Sequence, residues 1–140
     1  MTDFATLVAP SLAEFEKLAE AAFAALPATF RKLAEGVTVH VEDFPTDDVV
    51  EELDAESPFD LMGLFQGIGL AQAGLTPASG TLPNRVFLYR RPILDYWAEN
   101  EESLGAIVTH VLVHEIGHHF GLSDDDMEAI EARADADEEP

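Results

Sequence analysis

The chain has 140 residues, with 28 Asp and Glu against seven Lys and Arg, for a formal net charge of −21. That length supports one domain around one core, and 47% hydrophobic with 25% charged residues is ordinary globular composition. The absence of cysteine excludes disulfides, thiol nucleophiles and thiolate metal sites, and the acidity repels phosphate backbones, so no nucleic acid is expected as a partner.

Met1, Thr2 and Asp3 open the chain without a basic region before an apolar stretch, so no secretory signal is expected. Residues 61–84 are uncharged, but glycine and proline interrupt them, which argues against a membrane span. A cytoplasmic protein without membrane association is the expectation, in keeping with the missing cysteines.

Leu12, Phe15, Leu18, Ala22, Phe23 and Leu26 recur at steps of three and four, the period of an amphipathic helix. Ser11 and Glu14 form a capping box at its start, and Pro27 ends it. A short helix over residues 28–35 closes at Gly36, and Val37, Val39 and Val41 then alternate with Thr38, His40 and Glu42 as a half-buried strand. His40 is expected on the surface side of that alternation. Residues 46–54 follow Pro45 as a short acidic helix.

A second strand is expected over residues 61–66, interrupted at Gly63, then a long surface loop over 67–84. Residues 85–90 alternate again as a third strand, and a helix follows Arg91 and Pro92 to about Glu99. The next helix spans 101–119, capped by Asn100, with Glu101 and Glu102 at the positive end of its dipole. Ala106, Ile107, Val108, Val111, Leu112, Val113 and Ile116 make it apolar almost all round, hence central and buried. Gly121 ends it in a left-handed conformation, Ser123 caps a last helix to about Ala132, and the acidic residues 133–140 are expected to be a disordered tail. The fold class is α+β: a short mixed sheet of about three strands packed on the buried helix.

That helix carries His114-Glu115-Ile116-Gly117-His118. Residues four apart share a helix face, so both imidazoles can reach one ion at the 2.0–2.1 Å that zinc takes. Glu115 stands about 100° round the axis, where it can hydrogen-bond a water on the ion instead of binding the ion itself. Zinc needs a third protein ligand. Asp124 falls six residues after His118, beyond the turn at Gly121, where a returning chain can offer one. Asp124 also suits the first turn of a capped helix without any metal; in that case Asp125, Glu128 or a second water completes the site.

The run from His114 to Asp124, preceded by residues 82–94, resembles a small bacterial zincin-like family of possible zinc metallopeptidases, the minimal matrix-metalloprotease-like zincins. The resemblance extends from the first helix to about Ile130. It implies a single zincin-like domain over residues 1–132, a Zn2+ cofactor held by His114 and His118, and Glu115 as general base, with Asp124 in the third-ligand position. The larger metzincins end this pattern in His and follow it with a methionine turn. Here Met127 comes too soon for that turn and is expected to pack on the last helix.

The expected activity is a zinc metallopeptidase acting on a peptide or protein substrate, with Glu115 taking a proton from the attacking water and passing it to the leaving amine. A strand edge at residues 85–90 is a candidate for holding the substrate. The alternatives are a non-catalytic zinc-bearing interaction domain, or another zinc-dependent hydrolase such as a ribonuclease, which the charge disfavours. His110 reads as a core or supporting residue, since a straight helix seldom aims three such histidines at one ion. His119 reads as packed or solvated, and Tyr89 and Tyr96 as core instead of oxyanion donors. Arg85, Arg90 and Arg91 either take a substrate carboxylate or pair with surplus acids.

Overall fold

The computed structural model describes residues 4–67 and 84–138. Helix α1 (Leu12–Ala24) starts at the capping box, in which the Glu14 N–H donates to Ser11 Oγ and the Ser11 N–H to Glu14 Oε1. Its apolar stripe buries Phe15, Ala19 and Ala22. Helix α2 (Ala28–Leu33) follows Pro27, and Gly36 turns the chain at φ 90° into β1 (Thr38–Glu42). Only Val39 and Val41 of β1 turn inward, and His40 is exposed, as its alternation requires. Thr46 caps α3 (Asp47–Glu52), and a single 3-10 turn (Pro58–Asp60) leads to β2 (Gly63–Gln66). The expected loop at 67–84 lies largely outside the described residues.

Strand β3 (Arg85–Tyr89) is the centre of the sheet, in the order β1-β3-β2. It runs parallel to β1, with Val39 opposite Val86, and antiparallel to β2, with Phe65 opposite Val86. Both edges of β3 are therefore paired, which corrects the expectation that residues 85–90 offer a substrate-binding edge. The hydrophobic side chains explain the position, because Val86, Leu88 and Tyr89 are all buried. Among the described residues, the strand beside the buried helix that has an unpaired edge is β2.

Helix α4 (Arg90–Glu99) begins earlier than the sequence suggests, with Pro92 in the first turn, where no N–H is needed. Asn100 closes this helix by donating from Nδ2 to the Tyr96 carbonyl at 2.8 Å, so it does not cap the next one. Ser103 caps α5 (Leu104–His119) instead, its Oγ accepting from the Ala106 N–H at 3.1 Å. Glu101 and Glu102 consequently lie in the connection, outside the helix. Tyr96 is 37% exposed, not core, with its hydroxyl donating to Glu102 at 3.4 Å.

Helix α5 is central, as expected, burying Ile107, Val108, Val111, Leu112, Val113 and Ile116. It packs against α1, β2, β3, α4 and the last helix, α6. Its end is a left-handed turn: Gly121 has φ 78°, the Gly121 N–H donates to the His118 carbonyl, and the Leu122 N–H to that of Gly117. Ser123 then caps α6 (Asp124–Glu138), in a reciprocal pair with Asp126. The helix continues past Ala132, because Ala134 is buried on the core and the alanine-rich segment favours helix. Met127 is fully buried on this helix. None of the described helices is long and apolar enough to cross a membrane.

Close approach sets how β2 sits on α5. A Cβ added at Gly63 would lie 2.5 Å from Val111 Cγ1, 3.1 Å from the Phe87 carbonyl oxygen and 3.3 Å from Glu115 Cγ. Gly63→Ala is expected to lower the unfolding free energy by about 1–3 kcal/mol, as an extra methyl forced against the Val111 side chain and the Phe87 carbonyl overpacks the core. Urea denaturation measures it, and an unchanged midpoint would contradict the contact.

Candidate metal centre and active site

The site is built on the C-terminal half of α5. His114 and His118 stand one turn apart, their ring centroids separated by 5.8 Å and their planes at 59°. His114 is half-buried and His118 exposed. Glu115, between them in sequence, faces β2. There the Phe65 N–H donates to its carboxylate.

The sheet register explains why that amide is free. The Tyr89 N–H donates to the Met62 carbonyl, which makes Met62 and Tyr89 a hydrogen-bonded antiparallel pair. Pairs alternate along such a ladder, so Leu64 and Gln66 also face β3, while Gly63 and Phe65 turn their N–H and C=O groups to the open side. Among the described residues no strand pairs on that side.

Burial raises the Glu115 pKa above its ordinary value, opposed by the nearby His118 and the Phe65 amide. Tyr89 lies within electrostatic reach. Burial, followed by the charges of Glu42 and Glu115, pushes its phenol up to about 12. Tyr89 is only 2% exposed and belongs to the core, as the sequence suggested. His119 is also packed, stacked on Phe65 with centroids 4.0 Å apart, and burial lowers its pKa. A cavity of about 230 Å3 opens beside these groups, lined by Asp60, Met62, Gly63, His110, His114 and Glu115 among others.

Asp124 is exposed in the first turn of α6, and the three donors that converge most closely include neither it nor His118. They are His110, His114 and Glu131, with one donor atom from each within 4.8 Å of the other two. His110 is exposed on the same flank as His114, not in the core, with ring centroids 3.9 Å apart. Glu131 was not singled out from the sequence. The signal available was its spacing: it lies four residues after Met127 and three before Ala134, both buried on α6. A glutamate on the inward face of a helix has a partner to find. The arginines divide their work. Arg90 donates to the Pro10 carbonyl at 2.7 Å and pairs with Asp43 at 3.1 Å. Arg91 lies 5.5 Å over the Phe44 ring.

The sequence profile of the zincin-like metallopeptidase family matches residues 34–134, and the chain belongs to that family. No curated protein matches it. Membership implies a metal ion, typically zinc, and the donor chemistry fits: imidazoles one turn apart, carboxylates within reach of the same helix face, and no competing thiol.

The raised Glu115 pKa has a consequence for metal-free protein. Folding favours the protonated carboxyl, so the stabilisation is fully present below the unfolded-state pKa and is lost as pH rises through the folded one. Chelator-treated Glu115→Gln should therefore be more stable than the parent at pH 7, with the gap closing in acid. Urea unfolding at both pH values checks it; a gap that widens in acid would reverse the assignment.

Proposed function

We propose that the chain is a zinc-dependent peptidase in which Glu115 is the general base and His114, His118 and Asp124 hold the ion. The observation that carries this reading is the placement of Glu115: half-buried, held by the edge-strand amide of Phe65, and opening on the cavity that His114 also lines. A purely structural metal site has no use for such a carboxylate.

Zinc, when bound, polarises a carbonyl and makes water acidic enough to lose a proton near pH 7. Glu115 accepts that proton, and its elevated pKa suits it to release the same proton to the departing amine. The edge of β2 that no strand pairs among the described residues gives Gly63 and Phe65 backbone groups to an extended peptide, which would lie along the strand and across the cavity. Tyr89 and His119 support this arrangement by packing.

The high negative charge favours peptides with basic side chains, through attraction at long range. Asp124 is assigned to the ion in this reading from its place six residues after His118, just past the left-handed residue Gly121.

Glu115→Gln should lower the rate of peptide cleavage by about 10²–10⁴-fold, the usual worth of a general base, while one zinc per chain is retained. Screening the purified variant and its parent against a peptide library, with metal analysis alongside, tests both halves. Full activity in the variant would remove Glu115 from the chemistry, and parallel loss of zinc would make it a ligand.

A further inference from the structure

His110, His114 and Glu131 are arranged in a way that the histidine pair of the motif does not explain. His110 Nδ1 lies 2.8 Å from Glu131 Oε1, and His114 Nε2 lies 3.3 Å from Glu131 Oε2. The two imidazoles come from successive turns of α5 and the carboxylate from α6, so two separate helices aim three donors at one point. What fixes the docking of α6 lies one turn away. A Cβ at Gly117 would stand 2.6 Å from Met127 Sδ, so the missing side chain at Gly117 lets Met127 sit deep and brings Glu131 up to the histidines.

We propose that His110, His114 and Glu131 form a divalent transition-metal site of their own, overlapping the motif site at His114. Two imidazoles and one carboxylate are the donor set that Zn2+ and Co2+ accept, leaving a position for water. The side chains of His114 and Glu131 are 25% and 21% exposed, while His110 is 52% exposed, so the cluster is partly enclosed yet reachable. The adjoining cavity, lined by both histidines, gives an entry path and room for a water ligand. The surrounding acidity raises the local concentration of divalent cations.

His114 turns Nε2 toward Glu131, and one lone pair cannot serve two ions. The two sites are therefore alternatives, and the chain holds one ion in either. This inference does not depend on catalysis; it needs only the side chains of α5 and α6.

The test is titration of Zn2+, and of Co2+ followed by its visible spectrum, into chelator-treated full-length protein carrying His118→Ala. That variant should still bind one ion per chain. Adding His110→Ala or Glu131→Gln to it should weaken binding by more than about 100-fold, beyond the loss expected from an outer hydrogen bond. Circular dichroism of each metal-free variant confirms that the fold persists, and His110, being exposed, can be removed without opening the core. No ion bound by the His118→Ala protein would overturn the proposal. So would binding that survives both added substitutions, leaving only hydrogen bonds at the cluster. Loss with Glu131→Gln but not with His110→Ala would also overturn it, because Glu131 would then be ligating without His110.

Discussion

Helix α5 is packed by the sheet on one side, by α1 and α4 on others and by α6 along its length, yet it must leave a strip of polar side chains reachable. The rest of the structure follows from that constraint. Two glycines make it possible at close quarters: Gly63 lets β2 lie directly on the helix beside Glu115, and Gly117 lets α6 dock through Met127. Aliphatic side chains fill the remainder of the surface, with Ile107, Val108, Leu112, Val113 and Ile116 nearly or wholly inaccessible. Such burial contributes roughly 1.5–3 kcal/mol per large side chain, and this offsets the cost of holding ionisable groups on the same helix.

Those groups are satisfied in different ways. Glu115 takes an edge-strand amide, His119 stacks on Phe65, and His110 and His114 share the carboxylate of Glu131. Among the described residues no buried side-chain polar atom lacks a partner. The polar groups of the strip are thus held by contacts within the protein, and side chains fixed in this way lose less entropy on binding.

Much of this was legible in the sequence because it is written in local patterns. The Ser11–Glu14 capping box, the alternation through Val39 and Val41, the left-handed Gly121 and the buried run of α5 each depend on neighbours in the chain. The cap of α5 was misplaced because Asn100 and Ser103 are both good capping residues, and only the structure shows Asn100 bonded back to Tyr96. The central position of β3 was missed for a related reason: short strands of similar composition do not announce their order in a sheet. Glu131 was hidden because pairing it with His114 depends on how two helices align, and periodicity on one helix says nothing of register against another. The histidine pair and Glu115 were visible because all three lie within five consecutive residues of one helix, where spacing alone sets their directions.

The central claim is that α5 presents His114 as the shared ligand of a single metal ion. Elemental analysis of protein purified without chelator or affinity metal tests it most directly, with His114→Ala beside it. The account predicts about one transition-metal ion per chain in the parent, typically zinc, and none in the variant. No metal in either protein, and none taken up when zinc is added, would contradict it and leave α5 a helix of packed and hydrogen-bonded histidines.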